Sequence, residues 1–222
     1  MASHQFSDDL DALRRHYTTL LERHGDGPQA LQWSNRATQE RRMAILAEIG
    51  DLRRAKILDF GCGTGHLLGY LRENHGFEGE YVGYDLAPEL LKAAEAKFPG
   101  VRFEARDILT DPSTEKFDYV LISGVFNNLL GDNWQRMTAI LQELFPLARK
   151  GLAFNALSNY VDFQESGLYY ANPEAVFRFC KEQLSALVTL RHDYQVKPDV
   201  IPFEFTVYVH ATPLPRRPRS QQ

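Results

Sequence analysis

The chain has 222 residues, enough for one domain with at most a small appendage, and 44% hydrophobic against 24% charged residues is the balance of a globular protein. A net charge of −4 argues against general nucleic-acid binding, which draws on a basic face. Two cysteines without C-x-x-C spacing give neither a disulfide framework nor a zinc site. The polar start lacks a signal-peptide core, and no apolar run approaches the roughly 20 residues of a spanning helix, so the default expectation is a cytoplasmic protein with no membrane partner.

Along the chain, Leu10, Leu13, Tyr17, Leu20 and Leu21 recur at helical spacing and predict an amphipathic helix over about 6–24, ended by Gly25-Asp26-Gly27-Pro28. A second helix is predicted over about 35–49, with Met43, Ile45, Leu46 and Ile49 as its apolar positions and Gly50 as its cap. The rhythm then changes. Lys56–Phe60 reads as a strand, Thr64–Asn74 as a helix, Tyr81–Tyr84 as a strand, and Pro88–Phe98 as a helix with proline in its first turn. Val101–Ala105 and Phe117–Ser123 read as strands. Asp132–Ala148 reads as a long helix weakened by Pro146, Gly151–Leu157 as a strand and Pro173–Leu184 as a helix. Leu187–Tyr194 and Phe203–His210 read as strands turning at Lys197-Pro198-Asp199. Strands alternating with helices predict a parallel sheet, and the last two strands, with no helix between them, an antiparallel hairpin. No internal repeat is present. The tail from Pro213, proline-rich and basic, reads either as disordered or as a binding tail.

The most informative segment is Ile57-Leu58-Asp59-Phe60-Gly61-Cys62-Gly63-Thr64-Gly65-His66, a buried strand running through a glycine-rich turn into a helix. Glycines let the backbone turn sharply and let a ligand approach it, and the helix that follows directs free N–H groups toward that ligand. A dinucleotide loop needs G-x-G-x-x-G, and its third glycine position holds His66; a P-loop needs G-x-x-x-x-G-K-[ST], which is absent. The spacing is instead G-x-G-x-G, preceded by Asp59.

Asp59-Phe60-Gly61-Cys62-Gly63-Thr64-Gly65 resembles the first motif of class I S-adenosylmethionine (SAM)-dependent methyltransferases, and the likeness runs from about Lys56 to His210. It implies a Rossmann-like α/β fold with a mostly parallel seven-stranded sheet, a C-terminal antiparallel hairpin and an N-terminal helical lid. Residues 1–52 would form the lid, 53–211 the SAM-binding domain and 212–222 a disordered tail. It also implies SAM as the co-substrate. Gly61, Gly63 and Gly65 would pack against its methionine and ribose parts, and Asp59 would help hold its amino group. Asp85, closing the next strand, resembles the acid that accepts both ribose hydroxyls, with Leu86 against the adenine. Asp107 and Ile108 resemble the pair that meets the adenine amino group and a ring nitrogen, although Asp107 also reads as a helix cap. Ser123 and Gly124 would face the methionine part. In open α/β sheets ligands bind outside the carboxyl ends of the strands, and all four landmarks fall there in order.

The acceptor is less legible. Val125-Phe126-Asn127-Asn128 stands where amino-group methyltransferases acting on bases and glutamine carry an Asn/Asp-Pro-Pro-Tyr-type motif, which argues against those substrates. No metal cluster is evident. The long connection through Asp162, Tyr169 and Tyr170 reads either as an acceptor wall or as a surface loop with core tyrosines. In the N-terminal helices and their link, Tyr17, Trp33, Gln39 and Arg42 are candidates to contact SAM or substrate. An aromatic face suits a sulfonium and an arginine suits a carboxylate. Tyr17 equally suits the core, and Arg41-Arg42 a solvated face. Asn127, Tyr169, Tyr170, Asp162 and His66 are the candidate catalytic polar groups.

The first expectation is methyl transfer to a small molecule. A rival uses the same fold: attack of SAM's own amino group on its γ-carbon closes azetidine-2-carboxylate and expels methylthioadenosine, as in azetidine-2-carboxylate synthases of bacterial natural-product biosynthesis. That reaction needs SAM alone. The third reading is a SAM-binding protein without catalysis.

Overall fold

A computed structural model describes residues 2–25, 27 and 35–211. Two helices, α1 (Ala2–His24) and α2 (Arg36–Ala47), precede the sheet. Then come β1 (Lys56–Phe60), α3 (His66–His75), β2 (Glu80–Asp85), α4 (Pro88–Lys97), β3 (Arg102–Ala105) and β4 (Phe117–Ile122). They are followed by α5 (Asn133–Leu144), β5 (Ala148–Leu157), α6 (Pro173–Phe179), β6 (Leu187–Arg191) and β7 (Glu204–His210). Trp33 and the predicted tail lie outside the described residues.

The seven strands form one sheet in the order β3-β2-β1-β4-β5-β7-β6. β1 to β5 pair in parallel, and β7 pairs antiparallel with both β5 and β6. The sheet therefore has the Rossmann-like methyltransferase arrangement expected from the sequence. Its order reverses between β1 and β4, and such a switch point opens a crevice at the carboxyl ends of the strands.

Both faces are covered, which is why the central strands read as nearly continuous apolar runs. Met43, Ile45 and Leu46 of α2 and Leu67, Leu68 and Leu71 of α3 bury one face. Met137, Ile140, Leu141 and Leu144 of α5 and Val176 of α6 bury the other.

Several predicted boundaries shift for local reasons. Gly65 sits at φ +77° as the N-cap of α3, so the helix begins at His66, not Thr64. The second helix ends at Ala47 with Glu48 as C-cap, so Gly50 lies beyond it. A Cβ at Gly50 would meet the Tyr119 hydroxyl at 2.3 Å; that glycine makes room for the Tyr119 ring. The long helix stops at Leu144, where Pro146 forces a 3₁₀ turn over Phe145–Leu147, and β5 starts earlier than expected. α6 gives way to one π-helical turn over Cys180–Leu184, closed by a hydrogen bond from Ser185 N to Cys180 O at 2.9 Å. β6 ends at Arg191, and Tyr194 turns inward to meet Thr206 Oγ1 at 2.7 Å. No helix among the described residues is long and apolar enough to cross a membrane.

Candidate active site

The glycine loop is stitched to the end of β2. Gly61 N and Cys62 N both donate to Tyr84 O, at 2.7 and 3.0 Å, and Gly63 N donates to Asp85 Oδ2 at 2.8 Å. Gly61, Gly63 and Gly65 all have positive φ, which only glycine adopts without strain. Asp85 also accepts from Ala87 N through Oδ1 at 2.9 Å. A carboxylate keeps further lone pairs after two such bonds, so Asp85 retains acceptor capacity toward the crevice.

That crevice is partly open to solvent and has a cavity volume of about 110 Å³. Gly61, Asp85, Leu86, Asp107, Ser123 and Gly124 line it, as does Tyr17 from α1. These residues lie at or just beyond the carboxyl ends of β1, β2, β3 and β4 and on α1, and the fold brings them together around one crevice. Leu86, Leu90 and Ile140 supply apolar wall suited to an adenine ring, and Asp85 supplies a carboxylate suited to accepting from ribose hydroxyls. The residues present therefore fit SAM.

Other candidates lie elsewhere. Asp59 is buried behind the wall, with Oδ2 accepting from the Tyr81 hydroxyl. Gly63 and Gly65 shape the loop without lining the crevice, and Ile108 points into the core. Arg42 is buried at the α2–β7 contact and pairs with Glu204 at 2.7 Å; it is neither on the crevice wall nor on a solvated face. Gln39 meets His66 Nδ1 at 3.0 Å between α2 and α3. Asp162 is exposed on its loop. The Tyr170 hydroxyl accepts from Glu165 N at 3.1 Å. Tyr169 is half-buried beside Asn127, its N–H donating to Asn127 O at 2.9 Å.

Three arginines on the wall, Arg14, Arg106 and Arg136, were not among the sequence candidates. Arg106 lies 5.1 Å from the Tyr84 ring centre and bridges Glu104 and Asp111 at 3.1 and 2.8 Å. Arg136 stands 3.9 Å from Asp107 Oδ1. Arg106 adjoins Asp107 in sequence and could have been suspected; Arg14 and Arg136 come from helices whose charged faces look solvated in one dimension.

Burial decides the protonation of two groups. The Tyr17 phenol is pushed up to about 12, since burial outweighs the Asn128 side chain that donates to it at 2.9 Å, and the charge of Asp85 adds to the rise. Tyr17 thus stays protonated at neutral pH and cannot serve as a base. Asp59 is raised to about 7, chiefly by burial and further by Asp85, with the Tyr81 hydrogen bond opposing.

A carboxyl raised on folding contributes stability that is fully present below its ordinary pKa, near 4, and lost as pH rises through about 7. The stability advantage of the native chain over Asp59→Asn is therefore expected to shrink between pH 5 and pH 7, by up to about 1.4 kcal/mol per pH unit. Urea melts of both proteins at pH 5, 6 and 7 measure it. A difference independent of pH would show that Asp59 ionises as freely in the folded chain as in the unfolded one.

A glycine-loop crevice at the switch point of this sheet defines a class I SAM-dependent methyltransferase. The comparisons then give the family: a match to the family described as "Methyltransferase domain" covers residues 52–187, and the chain belongs to that family. The Mycobacterium tuberculosis (strain ATCC 25618 / H37Rv) protein Rv1506c, whose name assigns it to the methyltransferases, is 38% identical over 69% of this chain and 91% of its own length. Among solved structures, magnesium protoporphyrin IX methyltransferase from Synechocystis PCC 6803 with bound SAM superposes with a TM-score of 0.65, 14% identity and coverage of 92% of this chain and 97% of that one. The N-methyltransferase NodS from Bradyrhizobium japonicum WM9, in complex with S-adenosylhomocysteine, gives 0.64, 18%, 92% and 98%. The chain is a SAM-dependent transferase, and SAM is its co-substrate.

Proposed function

We propose that this enzyme transfers the methyl group of SAM to a small-molecule acceptor bound beside Asn127. The observation that carries this reading is the amide oxygen of Asn127: Oδ1 is buried and has no hydrogen-bond partner. A buried acceptor atom left unpaired is costly, so it calls for a donor. Asn127 lies two residues beyond Val125, where β4's extension leaves the crevice wall. An N–H or O–H on the acceptor would satisfy Oδ1 and be oriented by it.

The methyl group is already activated by its sulfonium, so the chain's task is alignment and exclusion of water. Asp85 would hold the ribose, Leu86 and Leu90 the adenine, Asp107 the adenine amino group, and backbone at Ser123 and Gly124 the methionine part. α1 supports a small acceptor. Leu13, Arg14 and Tyr17 lie along the crevice mouth, and α1 is tied down by Tyr17–Asn128 and by Thr18 Oγ1 to Glu89 Oε2 at 3.3 Å. In this reading residues 1–52 act as the lid, and little room remains for a macromolecular acceptor.

The test starts with SAM and protein alone, followed by mass spectrometry, and continues with a screen of amines and alcohols scored by S-adenosylhomocysteine. Acceptor-dependent S-adenosylhomocysteine release that falls about 100-fold in Asn127→Ala is the expected result. Methylthioadenosine and azetidine-2-carboxylate from SAM alone would replace this reading with intramolecular cyclisation. Turnover untouched by Asn127→Ala would remove Asn127 from the acceptor site.

A further inference from the structure

Under α2 lies a chain of buried polar groups that the methyl-transfer chemistry does not itself require. Arg42 Nε donates to Glu204 Oε2 at 2.7 Å, and Asn155 Nδ2 donates to Glu204 Oε1 at 2.8 Å. Asn155 Oδ1 accepts in turn from Gly124 N at 2.8 Å. Arg42, Glu204 and Asn155 are 6%, 0% and 1% exposed. Asn155 and Glu204 sit diagonally on one face of the β5–β7 pair, since Asn155 stands opposite Thr206 and Leu157 opposite Glu204. The chain thus begins on an N-terminal helix, crosses two strands and ends on a backbone N–H of the SAM crevice.

Stability alone does not account for this arrangement. Desolvating two charges offsets most of their attraction, and apolar residues of similar volume commonly serve a core as well or better. What the network adds is direction. Gly124 has φ +74°, a conformation open to other residues only with strain, and it is the hinge from which Val125, Phe126 and Asn127 leave β4. Fixing the Gly124 N–H fixes where that segment starts. Asn155 presents its oxygen to Gly124 while its NH₂ is held by Glu204, and Glu204 is held in turn by Arg42, with the Tyr194 side chain also bonding to it.

We propose that Glu204, clamped between Arg42 and Asn155, is a positioning residue that sets the Gly124 backbone and through it the methionine end of the SAM crevice. This rests on the crevice holding SAM and is independent of the acceptor's identity. It also gives Arg42 a role different from direct contact with cofactor or substrate.

The experiment compares the full-length native chain with Glu204→Gln and with the double variant Arg42→Met/Glu204→Leu, which replaces the ion pair by apolar side chains. Three quantities are read: melting temperature, amide exchange at Gly124 by NMR, and the Kd of S-adenosylhomocysteine by calorimetry. The expected result is a double variant that melts cooperatively while Gly124 exchange accelerates tenfold or more and the Kd rises tenfold or more. Glu204→Gln, which keeps one oxygen for Asn155 but loses the charge and the second oxygen that hold Arg42, should fall between the native chain and the double variant, with exchange and Kd each raised threefold or more. A folded double variant with native exchange at Gly124 and native affinity overturns the proposal, because the network is then packing only. Should the double variant fail to fold, Glu204→Gln decides: exchange and Kd both raised by threefold or more support the role, and native values for both overturn it.

Discussion

Asp85→Ala is expected to weaken S-adenosylhomocysteine binding by about 100-fold or more, with the folded sheet retained. Two hydrogen bonds from ribose hydroxyls to a carboxylate contribute roughly 1.5–3 kcal/mol each, and a loss of about 3 kcal/mol is about 100-fold in Kd. A second effect acts in the same direction. The Asp85 carboxylate accepts from Gly63 N and Ala87 N, so its removal unties the glycine loop from the end of β2 as well. Asp85→Asn, which keeps one acceptor oxygen, should fall between the native protein and the alanine variant. Calorimetric titration with S-adenosylhomocysteine gives both values. Native affinity in a folded Asp85→Ala would mean that the ribose is held elsewhere on the wall.

The second large effect is on stability. Phe154 is fully buried at the centre of β5 and meets Phe126 edge to face, with ring centres 5.8 Å apart. Truncation to alanine removes most of its apolar surface and leaves a cavity that a two-sided sheet cannot close. The expected loss is about 3–5 kcal/mol, a large share of a typical domain's total. Chemical denaturation of Phe154→Ala beside Phe154→Leu measures it, and the leucine variant should lose clearly less. A cost under about 1 kcal/mol would show that Phe126 and its neighbours collapse into the space. Phe126 belongs to the segment between Gly124 and Asn127, so the same substitution also loosens the wall on which the acceptor is proposed to sit.

The parts legible in the sequence are those whose geometry is written over a few adjacent residues. Gly61, Gly63 and Gly65 must turn the chain wherever they stand, and Asp85 closes a strand that can only end at the crevice. The alternation of strands and helices likewise yields the parallel half of the sheet. What distance in sequence conceals is partnership. Arg42 and Glu204 are 162 positions apart and Asn155 and Glu204 are 49 apart, and a charged residue looks the same in one dimension whether it meets water or a buried partner. Arg42 therefore read as a ligand contact or a solvated charge, and Glu204 did not stand out. The hairpin was visible as two strands without a helix between them. That its second strand enters between β5 and β6 was not, because periodicity reports which face is buried and says nothing of neighbours. Pro146 marked a weak helix end, and only the pairing of Phe117 with Ala148 shows that the strand takes over almost at once.

The insertion of β7 between β5 and β6 also orders events during synthesis. Chains emerge from the ribosome N-terminus first, and the strands from β1 to β5 can assemble in that order. Until residues 204–210 are made, β5 exposes an unpaired edge and β6 has no strand beside it. Open edges of this kind invite association between nascent chains. The same late strand delivers Glu204, so the moment that seals the sheet against other chains is also the moment that Arg42 and Asn155 receive their shared partner.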